Sequence, residues 1–242
     1  MRLFLIPTSL EWHQIRQHLP DWAAWVRGLG DVALCGFGPI AASARASQLL
    51  SHYQPKAVTL LGIAGLYERA DSPYGVGQAA VMDEVVCHGV GMGQGSEFRS
   101  SDEMGWKQWA GDAHGSLVAA DEGFGRKPRE AFPSHPAPSS QAIPDRIRLR
   151  RVVNHTPDCL LSCCSSSASP EDAAARLEFC KNAVAEDMEG FGVALACRLH
   201  HVPLTIVRGF SNVVGDRHHA NWEIRSAMVS AAKLAQQLSV EE

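Results

Sequence analysis

Two short stretches carry the side chains best able to do chemistry. The first is Glu186-Asp187-Met188-Glu189-Gly190, which follows the apolar pair Val184-Ala185. The second is Arg208-Gly209-Phe210-Ser211-Asn212, which follows the strand-like run Val202–Val207. An acidic turn and an amide thus stand at the ends of two strands, where open α/β sheets place their ligands. Glu189 opens a helical pattern whose apolar positions are Val193, Ala194, Ala196, Cys197 and Leu199. The same residues would serve equally well as an ordinary helix start and a turn, since carboxylates suit the positive end of a helix dipole.

Two glycine turns follow earlier strands. Gly36-Phe37-Gly38 precedes Pro39-Ile40-Ala41-Ala42 and a helix through Leu50. A dinucleotide site would need an acid about twenty residues on. There is no Asp or Glu from Val32 to Tyr67, which excludes nicotinamide and flavin. What remains is a tight turn whose amides, Gly38 included, can face a hydroxyl, a water or an anion. Gly62-Ile63-Ala64-Gly65 closes the next strand, and its small residues, Ala64 and Gly65, let a ligand approach the backbone.

The elements needed to position these groups follow from apolar patterning. Strands are expected at Leu3–Pro7, Val32–Cys35, Ala57–Leu61, Val76–Val86 (one or two), Cys159–Cys164 and Val202–Val207. Short strands are expected at Leu117–Ala120 and Ile147–Val153, and the Trp-rich segment Asp21–Gly30 reads as a strand or hairpin edge. Helices are expected from a Thr8 or Ser9 cap to Leu19 with Glu11 in the first turn, from Pro170 to about Cys180, and from Trp222 to Gln237. Strands alternating with helices predict an α/β fold, a three-layer sandwich with a largely parallel mixed central sheet. We expect a single domain over residues 1–242, interrupted by a Pro/Gly-rich excursion at about 89–145 whose stretch from Gly123 to Pro144 holds five prolines.

Composition narrows the partners. The formal net charge is −4, with no basic run, so nucleic acid is not expected. No apolar stretch reaches the length of a membrane span, and the N-terminus lacks the marks of a signal peptide. Seven cysteines, an odd number in mostly apolar surroundings, suit reduced thiols of the cytoplasm. Cys159, Cys163 and Cys164 near His155 lack zinc spacing, so no metal and no cofactor is expected.

Taken in order, Gly36–Ala42, Gly62–Gly65, Val76–Glu84, Glu186–Gly190 and Val207–Asn212 resemble the nucleoside phosphorylase/nucleosidase superfamily over nearly the whole chain outside the excursion. The closest branch is the futalosine hydrolases, which the segments Ala185–Gly192 and Arg208–Arg217, with Trp222 after them, resemble. The resemblance implies hydrolysis of a ribose–purine bond, here futalosine to hypoxanthine and dehypoxanthine futalosine in menaquinone biosynthesis. Purine nucleoside phosphorylase, methylthioadenosine/adenosylhomocysteine nucleosidase and a non-catalytic nucleoside-binding protein are the alternatives. Glu189 then matches the carboxylate that binds the ribose hydroxyls, Met188 the residue packed on the sugar, and Glu11 the carboxylate that orients water. Asn212 stands where adenine-releasing relatives carry Asp. It is no Brønsted acid, but it can donate and accept at once, as a 6-oxopurine edge requires. Asp216 is the reserve candidate for acid duty. Phe98, with Arg99, is placed against the base or the benzoate, Ser165–Ser167 against the base, and Arg208 keeps phosphate in play as a rival nucleophile. Ile63 stands where many relatives have Ser, which disfavours phosphate. Relatives assemble as dimers or larger rings, so a homo-oligomer is expected.

Overall fold

Strand β1 (Arg2–Ile6) buries Leu3, Phe4, Leu5 and Ile6 in succession. It lies in parallel between β2 (Gly30–Leu34) and β3 (Ala57–Leu66). A strand covered on both faces has no solvent side, so its sequence runs apolar rather than alternating. The period of two survives in where the side chains go. Leu3 and Leu5 enter one core with Val58, Leu60, Ala42, Ala46, Ala194 and Cys197. Phe4 and Ile6 enter a second with Leu61, Ile15, Trp22, Val26 and Met228. Each fully buried Leu, Ile or Phe contributes about 1.5–3 kcal/mol, so the two cores hold the sheet between its helix layers.

In this computed structural model the described residues are 1–70, 72–109, 142–149 and 158–238. On one side of the sheet lie α1 (Ser9–His18), α2 (Trp22–Arg27) and α6 (Ile224–Leu238). On the other lie α3 (Gly38–Tyr53) and α5 (Gly190–Leu199). The α/β expectation of helices on both faces of a largely parallel mixed sheet is met.

The remaining strands are β4 (Ala79–Met82), β5 (Glu84–His88), β6 (Gly91–Met92), β7 (Arg99–Ser100), β8 (Arg146–Arg148), β9 (Cys159–Cys163), β10 (Ala183–Asp187) and β11 (Leu204–Val213). Helix α4 (Pro170–Phe179) joins β9 to β10. The long β3 pairs with β11 in parallel along one edge, while on its other edge β1 gives way to an antiparallel contact with β10. From β11 the pairing runs to β4, through Asp83 into β5, on to β9 and β10, and back to β3. The sheet therefore closes on itself around β3 instead of fanning out as an open layer.

Four segments differ from the sequence expectation. Asp21–Gly30 is not a strand edge: Trp22–Arg27 is helical, with Trp22 and Val26 buried four residues apart. Trp22 also donates its indole N–H to the Ala232 carbonyl at 3.0 Å, an anchor across the sheet's helix layer. Strand β3 runs on through Gly62–Gly65 to Leu66, because β11 pairs with it throughout. The closing helix begins at Ile224, after a short 3₁₀ turn at His219–Asn221. The excursion opens with a β6–β7 hairpin and a 3₁₀ turn at Gly95–Glu97. The expected strand at Leu117–Ala120 lies outside the described residues, as do His155 and the Pro-rich stretch up to residue 141. Among the described residues no helix is long and apolar enough to cross a membrane.

Candidate active site

Thr8 caps α1 in a reciprocal box. Its hydroxyl oxygen accepts from the Glu11 N–H at 3.3 Å, and Glu11 Oε2 accepts from the Thr8 N–H at 2.9 Å. The box bends Glu11 back over the helix start. The Thr8 hydroxyl also donates to Oε2 at 2.6 Å, and the Ile63 N–H on β3 donates to Oε1 at 2.9 Å. Glu11 is buried, and desolvation pushes its carboxyl up despite these donors.

Glu186 and Asp187 are successive in β10, so their side chains leave opposite faces of the strand. Glu186 accepts from Tyr67 Oη (2.9 Å), Ser167 N–H (2.6 Å), Ser167 Oγ (2.7 Å) and Arg176 Nη1 (2.8 Å). It is fully engaged, and its work is to fix the Ser166–Ser167 turn. Asp187 points the other way, to Arg208 Nη2, and caps α5 through the Gly190 N–H at 2.8 Å. The helix start therefore belongs to Asp187 and Gly190; Glu189 is the residue before the first helical one and makes no cap bond. Its Oε1 accepts instead from the Gly38 N–H at 2.9 Å. That reach depends on close approach of α3 and α5. A Cβ on Gly192 would come within 2.6 Å of the Pro39 carbonyl oxygen.

Arg208 is fully buried and sits opposite Gly62 in the β11–β3 register. A Cβ at position 62 would lie 2.0 Å from Arg208 Nη1 and 2.9 Å from Glu11 Oε1, so only glycine leaves room for the guanidinium. Arg208 Nη2 also lies 3.6 Å from Glu189 Oε2. One guanidinium thus serves three carboxylates: Asp187, Glu189 and Glu11. Burial, then the Asp187 charge, push the Glu189 carboxyl up to about 7. Arg208 Nε and Nη1 have no hydrogen-bond partner among the described residues.

A cavity of about 320 Å³ opens in front of this cluster. Glu11, Met188, Glu189, Ala64, Gly65 and Asn212 line it together. At Ser211 the β11–β3 register shifts, and the resulting irregularity aims Asn212 at the cavity beside Gly65. Asn212 Nδ2 donates to the Val213 carbonyl at 2.8 Å, and Oδ1 accepts from Ser211 Oγ at 2.8 Å. A carbonyl can only accept, so the amide's orientation is pinned. One N–H and one lone pair are left over.

Not every residue singled out in the sequence reaches the cavity. Gly38 acts through its amide on Glu189, from behind the lining. Arg208 stands behind the wall, not at the surface, and its charge is already matched, so a direct role on substrate phosphate or sugar is not what its position offers. Asp216 is also outside the lining. Its carboxylate accepts from the His218 N–H and Asn221 Nδ2, both at 2.8 Å, and these bonds hold its carboxyl low, the opposite of what an acid needs. Phe98 packs on His88 and Phe179, with centroids 4.4 and 5.5 Å away, and is not part of the lining. Cys159 lies 3.5 Å from Cys180, sulfur to sulfur, rather than in a cluster with Cys163 and Cys164.

Asp187, Arg217 and Trp222 were given no role from the sequence, though all line the cavity. A signal for Asp187 was present: an Arg inside the apolar run of β11 requires a buried acid.

Residues 32–241 match the family model described as the Phosphorylase superfamily. A futalosine hydrolase of Thermus thermophilus is 26% identical over 245 residues, spanning 100% of this chain and 96% of that protein. A futalosine hydrolase of Streptomyces coelicolor is 36% identical over 118 residues, 49% of this chain and 46% of that protein, so the chain spans under half the length of this relative. Among solved structures, the 5′-methylthioadenosine/S-adenosylhomocysteine nucleosidase of Neisseria meningitidis, in complex with methylthio-immucillin-A, aligns with a TM-score of 0.65 at 13% identity, covering 100% of this chain and 99% of that one. That likeness concerns the fold, which the ring of strands around β3 already describes. With the family match extending from β2 to beyond the end of α6, this chain belongs to the phosphorylase superfamily.

Proposed function

We propose that this protein is an N-glycosyl hydrolase that cleaves a purine nucleoside with water, and that its substrate is futalosine, released as hypoxanthine and dehypoxanthine futalosine. The observation that carries the reading is the pair of buried carboxylates, Glu11 and Glu189, set on one guanidinium at the wall of a nucleoside-sized cavity. Cleavage of the glycosidic bond builds positive charge on the sugar. Glu189 takes the ribose hydroxyls, and its ionised form opposes that charge. Glu11, held by the Thr8 and Ile63 donors, orients the attacking water and accepts its proton.

Water is favoured over phosphate because the wall offers an anion little free positive charge. Among the described residues, Arg217 is the one cation in the lining, and the guanidiniums behind it are already taken, Arg208 by Asp187 and Arg176 by Glu186. A phosphate beside Glu11 and Glu189 would find no unpaired counter-charge there. Ile63 offers no side-chain donor to it, and its amide is committed to Glu11. Asn212 supports a 6-oxopurine because it stands where adenine-releasing relatives carry an acid and cannot itself protonate a base, while its spare N–H and lone pair can still meet one acceptor and one donor of the purine. The names of the two futalosine hydrolase relatives point to the same substrate. We also propose a homo-oligomer. Leu10 and Phe37 line the cavity's rim while 54% and 67% exposed, and neighbouring Ile40 is 86% exposed, an apolar edge suited to cover by a second copy.

The test is release of free base from futalosine, inosine and methylthioadenosine, with and without phosphate. Hypoxanthine from futalosine in phosphate-free buffer is expected. Adenine from methylthioadenosine with futalosine untouched would transfer the protein to the other nucleosidase branch, and a sugar 1-phosphate would make it a phosphorylase.

A further inference from the structure

The arrangement leaves one chemical need unmet. When the C1′–N9 bond breaks, its electron pair goes to the purine, and the departing base must be stabilised as an anion or protonated. Asn212 cannot give up a proton at neutral pH, and Asp216 is turned away into its own loop. The spare Asn212 N–H can donate to that base but is neutral, so a cation at the same end of the cavity would answer the charge.

Among the described residues Arg217 is the one cation in the lining, and it stands at that end, five residues beyond Asn212. Its Nη1 donates to Ser166 Oγ at 3.1 Å, and its guanidinium lies 5.6 Å from the centre of the Trp222 ring. The loop beneath it is tied at several points. Gly215 takes a φ of 87°, and the Asp216 N–H donates to the Val213 carbonyl at 3.1 Å. The Asp216 carboxylate gathers His218 and Asn221, and Trp222 Nε1 donates to the Asp216 carbonyl at 3.1 Å. His219 stacks on the indole at 4.6 Å. Asp216 is thus a positioning residue: its bonds shape the turn that lifts Arg217 over Ser166 and towards the base end.

We propose that Arg217 is the leaving-group residue of this site, its guanidinium donating to the O6/N7 edge of the departing 6-oxopurine. The inference rests on the nucleosidase reading above. In the balanced step, the water oxygen bonds to C1′ and gives its proton to Glu11. The C1′–N9 electron pair passes to the purine and spreads toward N7 and O6. Arg217 stabilises that anion until solvent protonates it. A fixed cation suits a 6-oxopurine, which presents two acceptors on this edge. It suits a 6-aminopurine less, because the amino group would turn its hydrogens toward the guanidinium. The exposed position of Arg217 in the open site is no obstacle: a base seated on Asn212 would cover it and sharpen the interaction.

The experiment compares Arg217→Gln and Arg217→Lys with the unmodified protein on a hypoxanthine nucleoside and on its N7-methylated form. The methylated purine departs neutral and needs no counter-charge, while every sugar contact is kept. With Arg217→Gln, kcat/KM on the ordinary nucleoside should fall about 100-fold, the usual loss for one donor aimed at developing charge. The ratio of methylated to unmethylated turnover should rise at least about tenfold, and Arg217→Lys should restore part of the loss. An unchanged ratio would overturn the proposal, whatever the size of the overall loss, because a structural or sugar-binding role affects both substrates alike. Full activity of Arg217→Gln would overturn it too. Failure of the unmodified protein to release base from either form would instead remove the nucleosidase reading, and this inference with it.

Discussion

Replacing Glu189 with Gln should make the protein more stable at neutral pH and nearly inactive. Glu189 is buried among Asp187, Glu11 and a single Arg, and its carboxyl is pushed from an ordinary 4.5 up to about 7. A folded-state value above the unfolded one means that the folded chain holds the extra proton. Stability from this group is therefore greatest below pH 4.5 and is lost as pH rises towards 7. The interval from 4.5 to about 7, at about 1.4 kcal/mol per pH unit, comes to roughly 3 kcal/mol. Gln cannot ionise, yet its carbonyl oxygen can still accept the Gly38 N–H. In urea or thermal unfolding between pH 5 and 9, the two proteins should be alike near pH 4.5–5 and diverge upward. Above pH 7 the variant should lead by up to about 3 kcal/mol, or roughly 6–12 °C in Tm for a chain this size. Turnover should drop on the order of a hundredfold or more, because the charge opposed to the cationic sugar is gone. A stability difference that stays flat from pH 5 to 8, or a variant weaker than the parent at pH 8, would refute this account of the cluster.

Removing the cation should do the reverse: Arg208→Met leaves buried acids without a partner and should cost about 3–5 kcal/mol at pH 8 in urea unfolding, and less near pH 5.5 where the acids can take up protons. A loss under about 1 kcal/mol at pH 8 would mean the carboxylates are not held by Arg208. Asn212→Asp should shift base release toward 6-aminopurine nucleosides, measured as the ratio of adenine to hypoxanthine formed; an unchanged ratio would place base recognition elsewhere. Asp216→Ala should lower activity through the loop it shapes while leaving the acid and base limbs of the pH–rate profile in place, and a lost limb would restore Asp216 as a proton donor.

Much of the fold was legible because buried strands announce themselves as apolar runs. Leu3–Ile6 is uninterrupted and Leu204–Val207 is broken only by Thr205, and the helices after Thr8 and Ser169 begin at recognisable caps. Asp21–Gly30 misled because tryptophans favour strands, whereas the decisive spacing was Trp22 to Val26 on one helix face. Gly62–Gly65 read as a loop because glycines weaken strands locally; the pairing with β11 that keeps it extended is long-range. The site divides in the same way. Glu11, Met188, Glu189 and Asn212 could be picked from their segments, and all four meet at the cavity. The Asp187–Arg208 pair joins two strands whose register no local pattern records, and the loop that turns Asp216 outward and Arg217 inward is set by backbone bonds that sequence does not display.

The closure of the sheet around β3 has a bearing on which molecules the cavity can admit. Strands joined in a ring resist spreading apart, because β11 would have to surrender its ladders to β3 and β4, and β10 its shorter contact with β3, to enlarge the space between them. Plasticity is confined to the rim, where Phe37 and the turn from Gly215 to Trp222 stand on connections rather than on strands. A bulkier nucleoside would be accommodated there, at the mouth, while the floor keeps its dimensions.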